Sequence, residues 1–169
     1  EASLNRLQKI NLEPIEKDIN SSVKLNKIRG KIEFKDISFS YKKNIPILKN
    51  INLKIREGNV YAFVGASGAG KSTMMSLILK FINPTSGNIY IDDKNIELIN
   101  SKEIRSKIAI VQQQPFLFSG TIKDAIKMGR KFTDTQIIDS AKIANAHEFI
   151  KSLPERYDTH ISERNLNFS

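Results

Sequence analysis

The chain has 169 residues, of which 40% are hydrophobic and 27% are charged, a composition that suits one domain or one domain with an appended segment. The absence of cysteine excludes disulfides, thiolate metal sites and cysteine nucleophiles, and two histidines alone, His147 and His160, disfavour a histidine metal site. The net charge of +9 is spread along the chain, mainly on lysines, without an arginine-rich and aromatic-interleaved stretch, so no nucleic-acid partner is predicted.

The N-terminal third of the chain predicts a linker followed by β-strands. Residues 1–29 are polar, with a short apolar spacing that favours the end of a helix before a linker. Apolar residues alternate over 31–41, but their phase slips between Phe34 and Ile37, which predicts a β-bulge or two short strands. Residues 51–55 alternate without interruption and predict a half-buried strand.

The remainder of the chain alternates predicted strands with predicted helices. Residues 60–64 form a continuous apolar run, which predicts a strand covered on both faces, as in a parallel sheet. Helix formers with a broad apolar face follow at 71–82. The later predicted elements are strands at 88–92 and 107–111, a helix between them that begins near Ser101, and a helix opened by the capping-box sequence TDTQ at 133–136. This alternation is typical of an α/β protein.

A glycine-rich loop follows the predicted strand 60–64 and matches the pattern G-x-x-x-x-G-K-[ST] at every fixed position. Glycine removes Cβ atoms that would keep backbone N–H groups from wrapping around a triphosphate, and the N-terminus of the next helix attracts the anion. Lys71 is expected to reach the β- and γ-phosphates, and the Ser72 hydroxyl to bind Mg²⁺. The predicted nucleotide-binding residues of the loop are Gly65, Ala66, Ser67, Gly68, Ala69, Gly70, Lys71, Ser72 and Thr73.

Two carboxylates at the end of the predicted strand 88–92 leave an alternative open. Many P-loop enzymes hold Mg²⁺ through an aspartate that ends a second apolar strand, and Asp92 or Asp93 could be that residue in a small kinase-like or GTPase-like protein. The other interpretation is a hairpin turn at 92–95, in which neither carboxylate meets the metal.

From Gly30 to Ser169 the sequence resembles the nucleotide-binding domain of ABC transporters, of the exporter type. The resemblance rests on an ordered series of segments: FSYKKNIPILKNINLKI, the phosphate loop, KFINPTSGNIYID, IAIVQQQPFLFSGTI and LPERYDTHISERNLNF. It implies an incomplete α/β fold with a P-loop NTPase core on a mixed or parallel sheet, an antiparallel β subdomain and the start of a helical subdomain. Residues 1–29 would be a linker after a membrane domain and 30–169 the N-terminal portion of the nucleotide-binding domain. The resemblance also places Asp92 and Asp93 in a turn.

The same resemblance implies roles for two residues outside the loop. Tyr41 would stack on adenine, and Gln113 would contact Mg²⁺ and couple to the membrane domain. Lys71 and Gln113 are therefore the expected catalytic residues, and Ser72 and Gln113 the expected metal ligands. An aromatic face and an amide oxygen suit these roles chemically. The alternatives are that Tyr41 is a core residue at a strand end and that Gln113 is a solvated loop residue.

Departures from the family pattern lie toward the end of the sequence. Gln114 stands where an acidic residue is frequent, and Ser162 and Asn165 replace glycines in a segment associated with the membrane domain. Phe168 and Ser169 align with the first two positions of the L-S-G-G-Q signature. In the family, the rest of the signature, the Mg²⁺-binding aspartate, the catalytic glutamate and the switch histidine follow this point.

These features lead to the expectation that the sequence is a piece of a longer protein. That protein would be an ATPase that couples ATP binding and hydrolysis to export across a membrane, whereas residues 1–169 alone would bind ATP and Mg²⁺ without hydrolysis. Its expected partners are the membrane domain of the same transporter and a second nucleotide-binding domain, at the cytoplasmic face of the cell membrane. The rival hypotheses are a small P-loop NTPase that uses Asp92 or Asp93 and a non-enzymatic, nucleotide-gated interaction module.

Overall fold

A computed structural model describes residues 23–25, 27–113 and 119–161. The chain divides into two compact units, 1–110 and 111–169. Most of the predicted N-terminal linker, Gln114 with the apolar stretch after it, and residues 162–169 lie outside the described residues. Within the described ranges, no helix has the length and apolar character needed to cross a bilayer.

The first unit contains a four-stranded antiparallel sheet with the strand order β2-β1-β3-β4. The strands are β1 (Ile32–Lys42), β2 (Ile45–Ile55), β3 (Ser86–Ile91) and β4 (Lys94–Asn95). The central strand β1 pairs with β2 on one side and β3 on the other. The predicted bulge is confirmed, because the β1–β2 register shifts between Phe34 and Ile37, and Asp36 between them has a φ of 52°.

Two α-helices of the first unit pack with the sheet into one apolar core. They are α1 (Lys71–Ile78) and α2 (Ser101–Lys107), and a 3₁₀ turn (Ile96–Leu98) precedes α2. The helix predicted over 71–82 ends earlier because the backbone turns through the left-handed region at Lys80, with a φ of 51°. The buried core residues are Leu25, Phe34, Ile37, Phe39, Leu48, Met74, Leu77, Ile78, Ile89, Ile91, Ile96, Ile99 and Ile104.

Two strand predictions are wrong. In the predicted strands 60–64 and 107–111, the structure has no strand. Lys107 ends α2, the other residues have no regular secondary structure, and Val60, Val64 and Val111 are 100%, 90% and 95% exposed. A strand needs hydrogen-bonded neighbours, and none pairs with either segment among the residues that the structure describes. The antiparallel part of the expected fold is therefore present, while the parallel pairing is not seen in these ranges.

The second unit is a small group of helices with one short antiparallel pair of strands, formed near the two ends of the described range 119–161. Its helices are α3 (Ile122–Lys127), α4 (Asp134–Ile143) and α5 (His147–Ser152), followed by a 3₁₀ turn (Arg156–Asp158). The strands β5 (Gly120–Thr121) and β6 (His160–Ile161) pair antiparallel. The predicted capping box is confirmed, since the Thr133 hydroxyl accepts from the Gln136 N–H and the Gln136 side chain accepts from the Thr133 N–H. The core of this unit comprises Ile122, Ala141, Ile150 and Ile161.

Candidate functional site

The glycine-rich loop forms a tight turn immediately before α1. The Ala69 N–H donates to the Ala66 carbonyl at 3.2 Å, and the Met74 N–H donates to the Gly70 carbonyl at 3.0 Å to begin the helix. Gly68 and Gly70 have φ values of +82° and +85°, a region that residues with a Cβ rarely adopt. The loop conformation therefore depends on glycine at these two positions.

Strand β2 packs against the loop at Gly70. A Cβ at Gly70 would lie 2.7 Å from Cδ2 of Leu48 and 3.2 Å from Cγ2 of Ile47, which is closer than side chains pack. Leu48 is buried at 3% exposure, so it cannot readily move aside. The sequence did not single out Ile47 or Leu48, because an apolar pair in a strand carries no sign that a loop packs on it.

The N-terminus of α1 is suited to an anion. Gly70 is the N-cap residue and provides no side-chain hydrogen bond, and the first turn carries no acidic residue within this described helix. By contrast, Thr121 and Thr133 use their hydroxyls to bond N–H groups at the starts of α3 and α4. The first N–H groups of α1 thus lack such a cap, and with the helix dipole they form the donor set that a phosphate group fits.

Lys71 folds over the loop that precedes it. Its Nζ donates to the carbonyls of Gly65 and Ala66, both at 2.8 Å. These two hydrogen bonds place the Lys71 ammonium group beside the exposed loop, at the start of α1. Replacing these carbonyls by phosphate oxygens would require only rotation of the flexible lysine stem.

Tyr41, Ser72 and Thr73 lie around the start of α1. The Tyr41 hydroxyl is 3.5 Å from the Thr73 hydroxyl oxygen, which connects the end of β1 with the first turn of the helix. Tyr41 is 62% exposed, and its ring meets the Phe39 ring edge-on, with 4.7 Å between centroids. Tyr41 therefore presents a ring to solvent beside the loop and is not a buried core residue. Ser72 is exposed, whereas Thr73 is buried at 6% exposure.

Gln113 belongs to the second unit, where its side chain is exposed. The structure thus brings together Tyr41, the loop and the start of α1 in the first unit. The proposed contact of Gln113 with the metal remains a prediction.

The two carboxylates considered as metal ligands have other partners. Asp92 accepts three backbone N–H bonds, from Arg29 at 2.7 Å, Gly30 at 3.2 Å and Lys31 at 3.0 Å. Asp93 accepts a hydrogen bond from Nζ of Lys31 at 2.6 Å, and this ammonium group holds the pKa of Asp93 below its ordinary value. Both aspartates have φ values above +45°, which places them in a turn. Their carboxylates tie the start of β1 to the β3–β4 turn.

An α/β unit with a glycine-rich loop, an uncapped helix N-terminus and a lysine over the loop defines a P-loop nucleotide-binding protein. The family model for ABC transporters matches residues 48–169. The chain therefore belongs to the ABC transporter family, as its sequence motifs predicted.

Proteins similar to this chain occur in several bacteria. A Mycoplasma genitalium protein named as an ABC transporter ATP-binding protein is 48% identical over 151 residues, covering 89% of this chain and 26% of that protein. A Staphylococcus aureus protein named as a multidrug export ATP-binding/permease protein is 47% identical over 143 residues, covering 83% of this chain and 25% of that one. The chain thus spans about a quarter of the length of these curated relatives.

A solved structure of a bacterial Atm1-family ABC exporter with ATP bound superimposes with a TM-score of 0.85 at 32% identity. The match covers 99% of this chain and 30% of that exporter. The predicted fold class, a P-loop NTPase α/β fold with an antiparallel β subdomain, is confirmed by this likeness.

Proposed function

We propose that this chain is the ATP-binding portion of an ABC exporter and holds ATP with Mg²⁺ at the start of α1. The observation that carries the proposal is the uncapped N-terminus of α1 behind a glycine-rich loop, with the Lys71 ammonium at its mouth. Phosphate groups would replace the Gly65 and Ala66 carbonyls as partners of that ammonium. Bound Mg²⁺ would supply neutralising charge on the phosphate oxygens.

The site residues predicted from the sequence have the following tasks under this proposal. The exposed Tyr41 ring would stack on adenine, since it stands beside the first turn of α1 through its contact with Thr73. The exposed Ser72 hydroxyl would bind Mg²⁺, and Gln113 would complete the metal site. The remaining loop residues would donate backbone N–H groups to the phosphates.

Titration of the purified chain with a fluorescent ATP analogue tests the binding assignment. Lys71→Ala should weaken binding by roughly a hundredfold or more, because a charge-assisted contact to phosphate is lost from an otherwise intact loop. The matched control is Lys49→Ala, which removes the same charge from an exposed position on β2 and should bind like the wild type. Equal affinity of Lys71→Ala and the wild type would contradict the proposal.

We propose further that residues 1–169 bind ATP without steady hydrolysis. The support is chemical, because Asp92 and Asp93 are already bonded to residues 29–31 and are poor candidates for the metal site. Asp92→Asn should then leave Mg²⁺-dependent ATP affinity unchanged, whereas a small NTPase that uses Asp92 would lose it. Sustained phosphate release by the chain, abolished in Lys71→Ala, would exclude a purely binding role.

In the longer protein, we propose that ATP binding and hydrolysis are coupled to export. The proposed partners are the membrane domain of the same transporter and a second nucleotide-binding domain, at the cytoplasmic face of the membrane. The name of the Staphylococcus aureus relative, which combines ATP-binding and permease, supports this assignment. Immunoblots of fractionated native cells should detect residues 30–161 in the membrane fraction at a mass well above 19.2 kDa. A soluble 19.2 kDa antigen would contradict it.

A further inference from the structure

The C-terminal end of α1 is held by two cationic side chains from the same unit. The helix ends in a Schellman motif, in which the Phe81 N–H donates to the Ser76 carbonyl at 2.9 Å and the Lys80 N–H donates to the Leu77 carbonyl at 3.1 Å. Glycine usually takes the left-handed position of this motif, but here Lys80 takes it, with a φ of 51°. A residue with a Cβ persists there only when its surroundings impose that conformation.

Arg105 of α2 contacts this end of α1 directly. Its Nε donates to the Leu79 carbonyl at 2.9 Å and its Nη2 donates to the Lys80 carbonyl at 2.6 Å. The guanidinium carbon also lies 4.7 Å from the centroid of the Phe81 ring. The planar fork of arginine can bond two successive carbonyls and stack on a ring at once, which a lysine cannot do.

The Lys80 side chain connects the same turn to the segment before α2. Its Nζ donates to the carbonyls of Ile96 and Ile99, at 3.0 and 2.9 Å, which lie at the 3₁₀ turn before α2. The last carbonyls of α1 carry the negative end of the helix dipole, so positive charge at this end is favourable. Together, Arg105 and Lys80 join the end of α1 to the segment 96–105.

The opposite end of the same short helix begins at the phosphate loop. α1 has eight residues and is about 12 Å long, and Leu77 and Ile78 anchor its side in the core. A rigid helix of this length transmits a tilt at its last turn to its first turn. The contacts at Leu79 and Lys80 therefore help to set the direction in which Lys71 and the first N–H groups point.

We propose that Arg105 is a positioning residue for nucleotide binding, which acts through α1 and touches no nucleotide. The inference rests on the proposed function, because it assumes that ATP binds at the start of α1. Arg105→Ala should weaken ATP binding roughly tenfold, in line with the loss of hydrogen bonds from a charged group. Arg105→Lys keeps the positive charge but loses the planar guanidinium group that bonds two carbonyls. The ATP affinity of this variant should fall between those of Arg105→Ala and the wild type.

The control separates positioning from general loss of stability. Ile104→Val on the same helix removes one methylene from a fully buried side chain and leaves the contacts at the end of α1 in place. All four proteins are compared by ATP-analogue titration at a temperature where circular dichroism shows them folded. Ile104→Val should bind ATP like the wild type, even though its unfolding midpoint falls.

The possible outcomes are distinguishable. Wild-type affinity in Arg105→Ala, or an equal loss in Ile104→Val, would overturn the positioning role while leaving the proposed function intact. If Arg105→Ala does not fold, the ATP affinity of Arg105→Lys provides the test. Wild-type affinity in Arg105→Lys would then overturn the inference. Failure of the wild-type chain to bind ATP would instead overturn the proposed function and the inference with it.

Discussion

Strand β1 and the segment 59–65 are both rich in apolar residues, but the apolar side chains of β1 are buried whereas most of those in the segment are exposed. In β1, Phe34 and Ile37 are 1% and 0% exposed, between two hydrogen-bonded neighbours and above the core. In the segment, Val60 and Val64 are 100% and 90% exposed, although Phe63 packs partly against the core. Apolar sequence alone therefore does not bury a strand, because burial also requires neighbours that satisfy its backbone groups.

The same contrast extends to the two sides of the phosphate loop. The loop is fixed on its C-terminal side by α1, whose core residues and last turn are held by many contacts. On its N-terminal side it is joined to the open segment 59–65, where the Tyr61 hydroxyl accepts from the Arg56 N–H at 2.9 Å. The contacts described for the loop therefore come mainly from α1 and β2.

The largest expected effect comes from a matched pair of truncations in the two regions. Phe34→Ala should lower the free energy of unfolding by about 3–5 kcal/mol, because it leaves a cavity in the core. Val64→Ala should change it by less than about 0.5 kcal/mol, because an exposed side chain is removed. Urea unfolding monitored by circular dichroism measures both. Similar losses in the two variants would show that the segment 59–65 is buried in solution.

A second pair compares two glycines with positive φ. A Cβ at Gly87 in β3 would lie 2.4 Å from the Lys35 carbonyl oxygen and 2.5 Å from that of Asp36, at the bulge of β1. Gly87→Ala should therefore cost about 2 kcal/mol or more in unfolding free energy.

The control is Gly58, which directly precedes the segment 59–65. Its φ is +73° and a Cβ there would meet nothing within 4 Å, so Gly58→Ala should cost only about 1 kcal/mol of backbone strain. Thermal unfolding of the two variants gives the comparison. An equal loss of stability would mean that the close approach of β3 to the bulge is not maintained.

The smallest effect is a pH dependence in the paired sheet. Glu33 of β1 lies opposite Lys54 of β2, and their hydrogen-bonded ion pair, with Oε1 and Nζ 3.0 Å apart, holds the pKa of Glu33 below its ordinary value of 4.5. The folded state then binds fewer protons than the unfolded state, so this contribution is complete above pH 4.5 and is lost as the pH falls through the lowered pKa.

Glu33→Gln removes this titration. The difference in unfolding midpoint between neutral and acidic pH should be smaller in Glu33→Gln than in the wild type. Glu57→Gln, which removes one carboxylate from the exposed pair with Arg29, is measured beside it as the matched change in charge. Identical pH profiles for Glu33→Gln and the wild type would show that the cross-strand pair contributes nothing.

Local sequence determined the features that depend on neighbouring residues. The phase slip between Phe34 and Ile37 predicted the bulge, and the spacing of Thr133 and Gln136 predicted the capping box, because each arises within a few residues. The phosphate loop is equally local, since its glycines supply the backbone freedom and Lys71 the charge. The ordered motifs by themselves also indicated the ABC transporter family.

Only the tertiary structure decided which apolar runs are buried, where α1 ends and what the aspartates contact. The run 60–64 resembles a buried strand by composition, but pairing depends on distant segments. The end of α1 at Ile78 is fixed by contacts across the unit: Arg105 of α2 donates to the Leu79 carbonyl, and Lys80 donates to the Ile96 carbonyl. Such contacts leave no pattern in sequence. Hydrogen bonds to main-chain groups across the fold are specified by three-dimensional proximity, not by the spacing of residue types.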